Sequence, residues 1–311
     1  MGGFILRRAA IAVPLIVFSS FLVFMLVAAA GDPLAELRSN PGIPKSTVDA
    51  RRRELGLDRP VLVRYLTWAK DAVRGDFGES YVTGGAVRPK LVRSLGVTLR
   101  LLVGAVLLAV VLGVTIGVLA ALRQYSRFDY MATFFAFVFF SMPVFWLAAV
   151  LKDLGIRLND LLGFKLFFTV WSDRLGHLIL PALTLILIQV AGWSRYQRSS
   201  MLEVLNADYV RTAKAKGLPP ARVITRHAMR NALIPIVTLV AIDFGLLLSG
   251  AVITERVFGW AGMGRLLLDS LTRQDINVVQ AWLLVSATMV IVFNLLADIL
   301  YGYLDPRIRR G

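Results

Sequence analysis

Few residues in this 311-residue chain are placed to do covalent chemistry. The two histidines, His177 and His227, stand far apart and lack ligand neighbours. There is no cysteine, which removes disulfides, iron–sulfur clusters and thiolate-bound zinc and leaves the redox compartment open. No Gly-x-x-x-x-Gly-Lys-Ser/Thr loop exists to cradle a nucleotide phosphate. His-Glu-x-x-His and Gly-x-Ser-x-Gly are also absent. The expectation is a chain with no catalytic residue, no metal site and no cofactor of its own. What remains is non-covalent chemistry in two places. Asp243 falls inside an apolar run, where an ionised carboxylate is expensive and must face a cavity or a partner. It reads either as a ligand contact or as a hydrogen-bonded packing residue. Asp298, near the end of another apolar run, reads as packing, and Gln189 and Asn294 as interhelical hydrogen-bonding groups. The second place is 195–232, where Arg195, Arg198, Arg211, Lys214, Lys216, Arg222, Arg226 and Arg230 face only Glu203 and Asp208.

The elements that carry these residues follow from hydropathy. Hydrophobic residues make up 57% of the chain, and the mean hydropathy is +0.68. A soluble core of this size cannot hide that much apolar surface, so the surplus faces lipid. The formal charge of +15 can mean nucleic acid or an anionic membrane. Here the basic residues sit between apolar runs and form no aromatic-interleaved stripe, so a membrane is favoured and no nucleic-acid partner is expected. A bilayer crossing needs roughly 20 apolar residues. Six segments qualify: Ile11–Ala30, Leu101–Leu122, Met131–Leu151, Leu178–Ser194, Leu233–Ile253 and Val278–Leu300. The first is too long for a signal-peptide core and reads as a retained span. Pro14, Pro143, Pro181 and Pro235 are candidate kinks. Gly113 and Gly117 suit close helix packing. Trp146, Trp193, Trp260 and Trp282 sit near span ends as interface anchors.

The expected fold is all-α and polytopic, with about six spans. It divides into 1–30, an external region 31–95, and a core 96–311 that contains the loop 195–232. Arg7, Arg8, Arg123, Arg127, the basic loop and Arg307, Arg309 and Arg310 lie on one side, with Asp129 and Asp305 among the few opposing charges. By the positive-inside rule that side, with both termini, is cytoplasmic. The long external region holds two short helices, over Val48–Leu57 and Pro60–Val73, the second with Leu62, Tyr65, Leu66 and Ala69 at helical spacing. Arg51, Arg52 and Arg53 read as a solvated helix face or as a contact for a docking protein. The cytoplasmic loop reads as helix, Gly217, Pro219-Pro220, helix. The first helix has Leu202, Leu205, Tyr209 and Thr212 on one face. The second has Val223, Ile224, His227 and Ala228 as its stripe. Amphipathic helices resting on the membrane would look the same.

The run from Asp208 to Leu218 (DYVRTAKAKGL), followed by Arg226-His227-Ala228-Met229-Arg230-Asn231-Ala232-Leu233-Ile234-Pro235, resembles the coupling segment of ABC importer permeases. It is closest to the dipeptide, oligopeptide and nickel group. Ala213 and Gly217 fit the superfamily pattern of Glu-Ala-Ala, three residues, Gly, nine residues, Ile, one residue, Leu-Pro. Arg211 and Thr212 replace its Glu and first Ala, His227 its Ile, and Met229-Arg230 its Leu-Pro, as in the peptide-type version. Gly31-Asp32-Pro33, Leu55-Gly56-Leu57-Asp58-Arg59-Pro60 with Arg64-Tyr65 and Trp68, and Gly75-Asp76-Phe77-Gly78-Glu79-Ser80 resemble the group's first external region. Glu255-Arg256-Val257-Phe258 and Gly262-Met263-Gly264 resemble its last external loop. The long first loop resembles that of the first of two paired permeases.

The resemblance implies a bacterial inner-membrane heterodimer with a sister permease. It also implies two ATPase subunits carrying ATP and magnesium, and an extracytoplasmic substrate-binding protein. Asp208, Tyr209, Arg211, Ala213, Lys216, Gly217, Arg226 and His227 would meet the ATPase. Asp243, as a ligand contact, would face a peptide amino terminus in the translocation pathway. A passive channel and a membrane-embedded enzyme are the other classes. The channel predicts flux without nucleotide. The enzyme needs a buried catalytic pair, and none is visible.

Overall fold

The computed structural model describes residues 2–304 apart from 31–33, 35–37, 39–41, 55 and 168–175. Gly31-Asp32-Pro33, Leu55, Asp305 and the terminal Arg307, Arg309 and Arg310 lie outside the described residues. Among the described residues, four helices are each long and apolar enough to cross a bilayer: α1 (Gly2–Ala30), α4 (Val87–Leu122), α7 (Gly176–Leu205) and α13 (Ile276–Leu304). Two bent pairs bring the number to six if each counts as one span. The first pair is α5 (Arg127–Ser141) with α6 (Val144–Leu162), and the second is α9 (Pro220–Ala232) with α10 (Ile234–Gly250). Shorter helices complete the chain: α2 (Lys45–Glu54), α3 (Val61–Val73), α8 (Asp208–Ala215), α11 (Val252–Val257) and α12 (Met263–Thr272). The described residues contain no strand beyond an isolated antiparallel bridge between Glu79 and Ala86.

Prolines mark two of the bends in the chain. The segment Met131–Leu151 is not one straight helix. It turns by 106° between α5 and α6, where Met142 is extended and Pro143 caps α6. Proline has no amide hydrogen and drives the residue before it out of the helical region. Pro235 stands in the first turn of α10, where the chain bends by 43°. Pro14 and Pro181 lie within α1 and α7. Two other spans are longer than hydropathy suggests. α4 starts at Val87, so it runs through 95/96, and α7 continues past Ser194 to Leu205. Hydropathy marks only the stretch in lipid, whereas a helix continues for as long as its side chains find partners.

α4 and α7 form the centre of the core. Leu101, Leu102, Ala105, Val106 and Ala109 of α4 pack with Leu185, Ile186 and Trp193 of α7 and with Ile236 and Phe244 of α10. Gly113 and Gly117 make this approach possible. A Cβ on Gly117 would stand 2.5 Å from the Ser194 carbonyl oxygen and 2.7 Å from Gln197 Cβ. α1 lies against α13, and Arg8 pairs with Asp298 at 2.9 Å, so Asp298 is a packing residue between the first and last spans. The tryptophans depart from the expected anchors. Only Trp146 is exposed; Trp193, Trp260 and Trp282 are buried. Their ring N–H groups find acceptors inside the protein, Trp260 on the Val97 carbonyl at 3.3 Å and Trp282 on the Met263 carbonyl at 2.7 Å. A buried indole needs such an acceptor.

Candidate functional site

The basic loop folds into a platform beneath α4 and α7. α8 begins at Asp208, after α7 ends at Leu205. Leu202 and Leu205 therefore belong to the long α7, and the face expected to join them to Tyr209 and Thr212 does not form. The buried residues of α8 are Val210 and Ala213, packed on Val223 of α9, while Tyr209 and Thr212 are exposed. The break at 206–207 resets the helical phase, which a continuous count from Leu202 cannot register. α8 closes with a Schellman turn. The Leu218 amide donates to the Ala213 carbonyl at 3.4 Å and the Gly217 amide to the Lys214 carbonyl at 3.0 Å. Gly217 has φ +74, and nothing lies within 4 Å of where its Cβ would be. The glycine is needed for its backbone angle, not for space.

α9 opens with Pro219 as cap and Pro220 in the first turn. A π-helical turn then covers Val223–Ala228 where the sequence suggests plain α-helix. The wider turn lets Val223 face α8 while Ala228 and Ala232 face Val118, Ala121 and Met201 of α4 and α7. Ser200 Oγ donates to the Ala232 carbonyl at 3.1 Å. Asn231 Nδ2 donates to Tyr209 Oη at 2.9 Å, joining the two platform helices. One face of the platform is thus locked to the spans. The other presents Asp208, Arg211, Lys216 and Arg226 to solvent, with Tyr209 exposed and His227 half-buried beside them. Arg211 lies 3.9 Å from Asp208, both exposed.

Asp243 of α10 meets α7. Trp193 Nε1 donates to Asp243 Oδ2 at 2.7 Å, and Gln189 Nε2 donates to the same oxygen at 3.4 Å. Oδ1 has no hydrogen-bond partner among the described residues, and the side chain is half-buried. The carboxylate is held by one oxygen and presents the other. No group of three or more His, Cys, Asp or Glu side chains among the described residues is arranged to hold a metal ion.

Residues 113–310 match the family model for the binding-protein-dependent transport system inner membrane component, and residues 1–102 match the model for the N-terminal part of such membrane components. The chain belongs to this family. It is a multi-pass inner-membrane permease of an ABC importer, a class that works with ATPase and substrate-binding partners and leaves ATP hydrolysis to separate subunits. Similar proteins include the oligopeptide transport system permease protein OppB of Mycobacterium tuberculosis, 43% identical, with 99% of each chain covered. The dipeptide transport system permease protein DppB of Escherichia coli is 40% identical, with 98% of each covered. Among solved structures, an inward-facing MetNI methionine ABC transporter is similar in fold. The TM-score is 0.56 at 16% identity, over 69% of this chain and 96% of that one.

Two further polar nodes hold the permease in shape, and in neither does the sequence reveal the pairing. Arg198 at the platform end of α7 makes a two-pronged pair with buried Asp129 of α5. Nε donates to Oδ1 at 2.6 Å and a terminal nitrogen to Oδ2 at 2.8 Å. Asp129 also accepts from the Tyr125 amide at 3.0 Å. Charge counting treats both as loop charges, because only the fold brings 129 to 198. At the other end, fully buried Glu255 of α11 accepts from Thr98 Oγ1 of α4 at 2.5 Å. It also accepts from the Gly264 amide at 2.7 Å and the Arg265 amide at 3.3 Å. Burial pushes its carboxyl above the usual range, and the Thr98 hydroxyl and the two amides pull it back. This gives the Glu255…Gly264 motif a physical purpose: it latches the segment before the last span to α4. Glu255→Ala would leave three donors without acceptors, a loss of the order of 3 kcal/mol. The check is the melting temperature of the detergent-solubilised chain, which should drop by several degrees while Glu203→Ala, on the surface of α7, leaves it in place.

Proposed function

We propose that this permease is one half of a heterodimeric pore that imports dipeptides or short oligopeptides by alternating access. ATP and magnesium act on two separate ATPase subunits, and an extracytoplasmic binding protein delivers the cargo. The observation that carries the reading is the two-faced platform. Val210, Ala213 and Val223 join its two helices and Ala228 and Ala232 fix it to the spans, while Asp208, Tyr209, Arg211, Lys216 and Arg226 face outward, with His227 beside them. A rigid connection of this kind converts movement of a docked subunit into rocking of the helices. The peptide cargo is supported by the similarity to permeases named for oligopeptide and dipeptide transport. The basic platform end and both termini are assigned to the cytoplasm by their arginines and lysines.

Asp243 is assigned to the pathway as a contact for a peptide amino terminus. Trp193 and Gln189 orient it so that Oδ1 faces the cargo. The test is uptake of labelled di- to pentapeptides into proteoliposomes holding the full complex. ATP-dependent uptake is expected, and Asp243→Asn should raise KM by about tenfold, one lost charged contact, for peptides with a free amino terminus but not for N-acetylated ones. Equal changes for both would leave Asp243 a packing residue. Peptide flux without nucleotide would replace the importer with a passive channel.

A further inference from the structure

Helix α3 does not stand clear of the membrane. Tyr65 Oη lies 2.9 Å from Ser20 Oγ and donates to the Val17 carbonyl at 3.3 Å. Phe21 and Phe24 close on the Tyr65 ring edge-on. Val17 and Ser20 lie well inside the apolar stretch Leu6–Ala29. At 1.5 Å per residue they are about 14 to 18 Å along the axis from its outer end. A helix whose tyrosine hydroxyl reaches that deep does not stand clear in the water outside. Its composition agrees. Leu62, Leu66 and Val73 are 61%, 66% and 90% exposed and share one face with Ala69. Arg64, Thr67 and Asp71 occupy another. An apolar stripe with charges opposite is the pattern of a helix lying in the interface plane.

On the polar side of α3 is a cavity of about 830 Å³, at the end of the bundle opposite the platform. Arg52 and Arg53 of α2, Arg59, and Arg64 of α3 all line it. Phe24, Val27 and Ala28 of α1 supply an apolar wall. Asp71 and Asp76 also line it, so cations outnumber carboxylates by two, and Asp76 Oδ1 is occupied by the Gly78 amide at 2.9 Å. Arg53 Nε donates weakly to the Asp49 carbonyl at 3.4 Å. Trp68, another lining residue, has a buried ring N–H with no acceptor among the described residues.

We propose that this cavity holds the headgroup of an anionic phospholipid of the outer leaflet. Arginine forks match phosphate oxygens. The α1 wall offers apolar surface to the acyl chains beside the arginines. A free phosphate has no use for that wall, and an acidic protein surface would have to reach a concave site at the membrane flank. Arg52 and Arg53 of the triplet are therefore a lipid contact and not a solvated helix face.

The full chain in mild detergent, given equal phosphatidylglycerol and phosphatidylcholine and analysed by native mass spectrometry, tests this. The wild type is expected to retain phosphatidylglycerol at least about fivefold over phosphatidylcholine. Replacing Arg52, Arg53, Arg59 and Arg64 with glutamine should abolish the preference, and Arg123→Gln with Arg127→Gln at the other end should not. All four arginines are exposed or half-buried, so the fold survives their loss, and melting temperature checks this. An unchanged preference in the quadruple variant overturns the proposal. So does displacement of the lipid by inorganic phosphate at millimolar concentration, which would mark a free-anion site. Unchanged lipid retention with lost capture of the binding protein would assign the face to a protein partner instead.

Discussion

Gly217→Pro is expected to leave the permease in the membrane at normal abundance and to reduce ATP-dependent uptake to background. The φ of +74 at this position is closed to proline, whose ring fixes φ near −65°. Proline also deletes the amide that donates to the Lys214 carbonyl. Together these cost about 3 kcal/mol or more if the turn is kept. The turn is on the surface, so the chain relieves the strain by opening there. Opening changes the angle between α8 and α9, and the outward face no longer presents Asp208, Arg211 and Arg226 as one surface. Gly217→Ala keeps the amide and carries only the left-handed penalty of about 1–2 kcal/mol, so partial uptake is expected. Transport assays in vesicles, normalised to membrane content, separate the three proteins. Full uptake by the proline variant would mean that the platform does not couple anything.

A larger effect on folding is expected from Gly117→Val. A Cβ there meets the Ser194 carbonyl oxygen at 2.5 Å, Gln197 Cβ at 2.7 Å and the Arg198 amide nitrogen at 3.0 Å. Two of those atoms are backbone and cannot turn aside, so α4 and α7 must separate. Overpacking usually costs about 1–3 kcal/mol, and the rigid neighbours put this case at the upper end or beyond. Separation also pulls Arg198 from Asp129, loosening α5. Gly113→Ala is the contrast, because its Cβ meets Trp193 Cβ at 3.3 Å and no atom closer. Fluorescence size-exclusion profiles should show a folded peak for Gly113→Ala and an aggregated or absent one for Gly117→Val. Similar folded peaks would contradict the close α4–α7 approach.

The apolar runs made four crossings legible, and up to six if each bent pair is one span, because their period and length are local properties of the chain. The glycine and the two prolines made the platform turn legible, since their backbone limits hold in any context. What stayed hidden depends on contacts across the chain. The break at 206–207 has no proline or glycine to announce it, so the face of α8 came out one phase wrong. The π-turn at Val223–Ala228 arises from packing two helices on either side of α9. Trp193, Trp260 and Trp282 look like interface anchors by position, yet each buried ring N–H finds an acceptor more than 15 residues away in sequence. Thr98 and Glu255, or Asp129 and Arg198, become partners only when spans pack. Asp243 was legible as a residue needing a partner, but not that Trp193 is that partner.

The platform as an ATPase dock is the central claim, and co-purification tests it most directly. The chain is drawn from the membrane in mild detergent with its native partners, and the recovered complex is assayed for ATP hydrolysis and identified by mass. The account predicts that the wild type brings down a sister permease and ATPase subunits with measurable activity, and that Gly217→Pro keeps the sister permease but loses the ATPase subunits. Equal recovery of ATPase subunits by both proteins, or recovery of neither partner in several detergents, would contradict it.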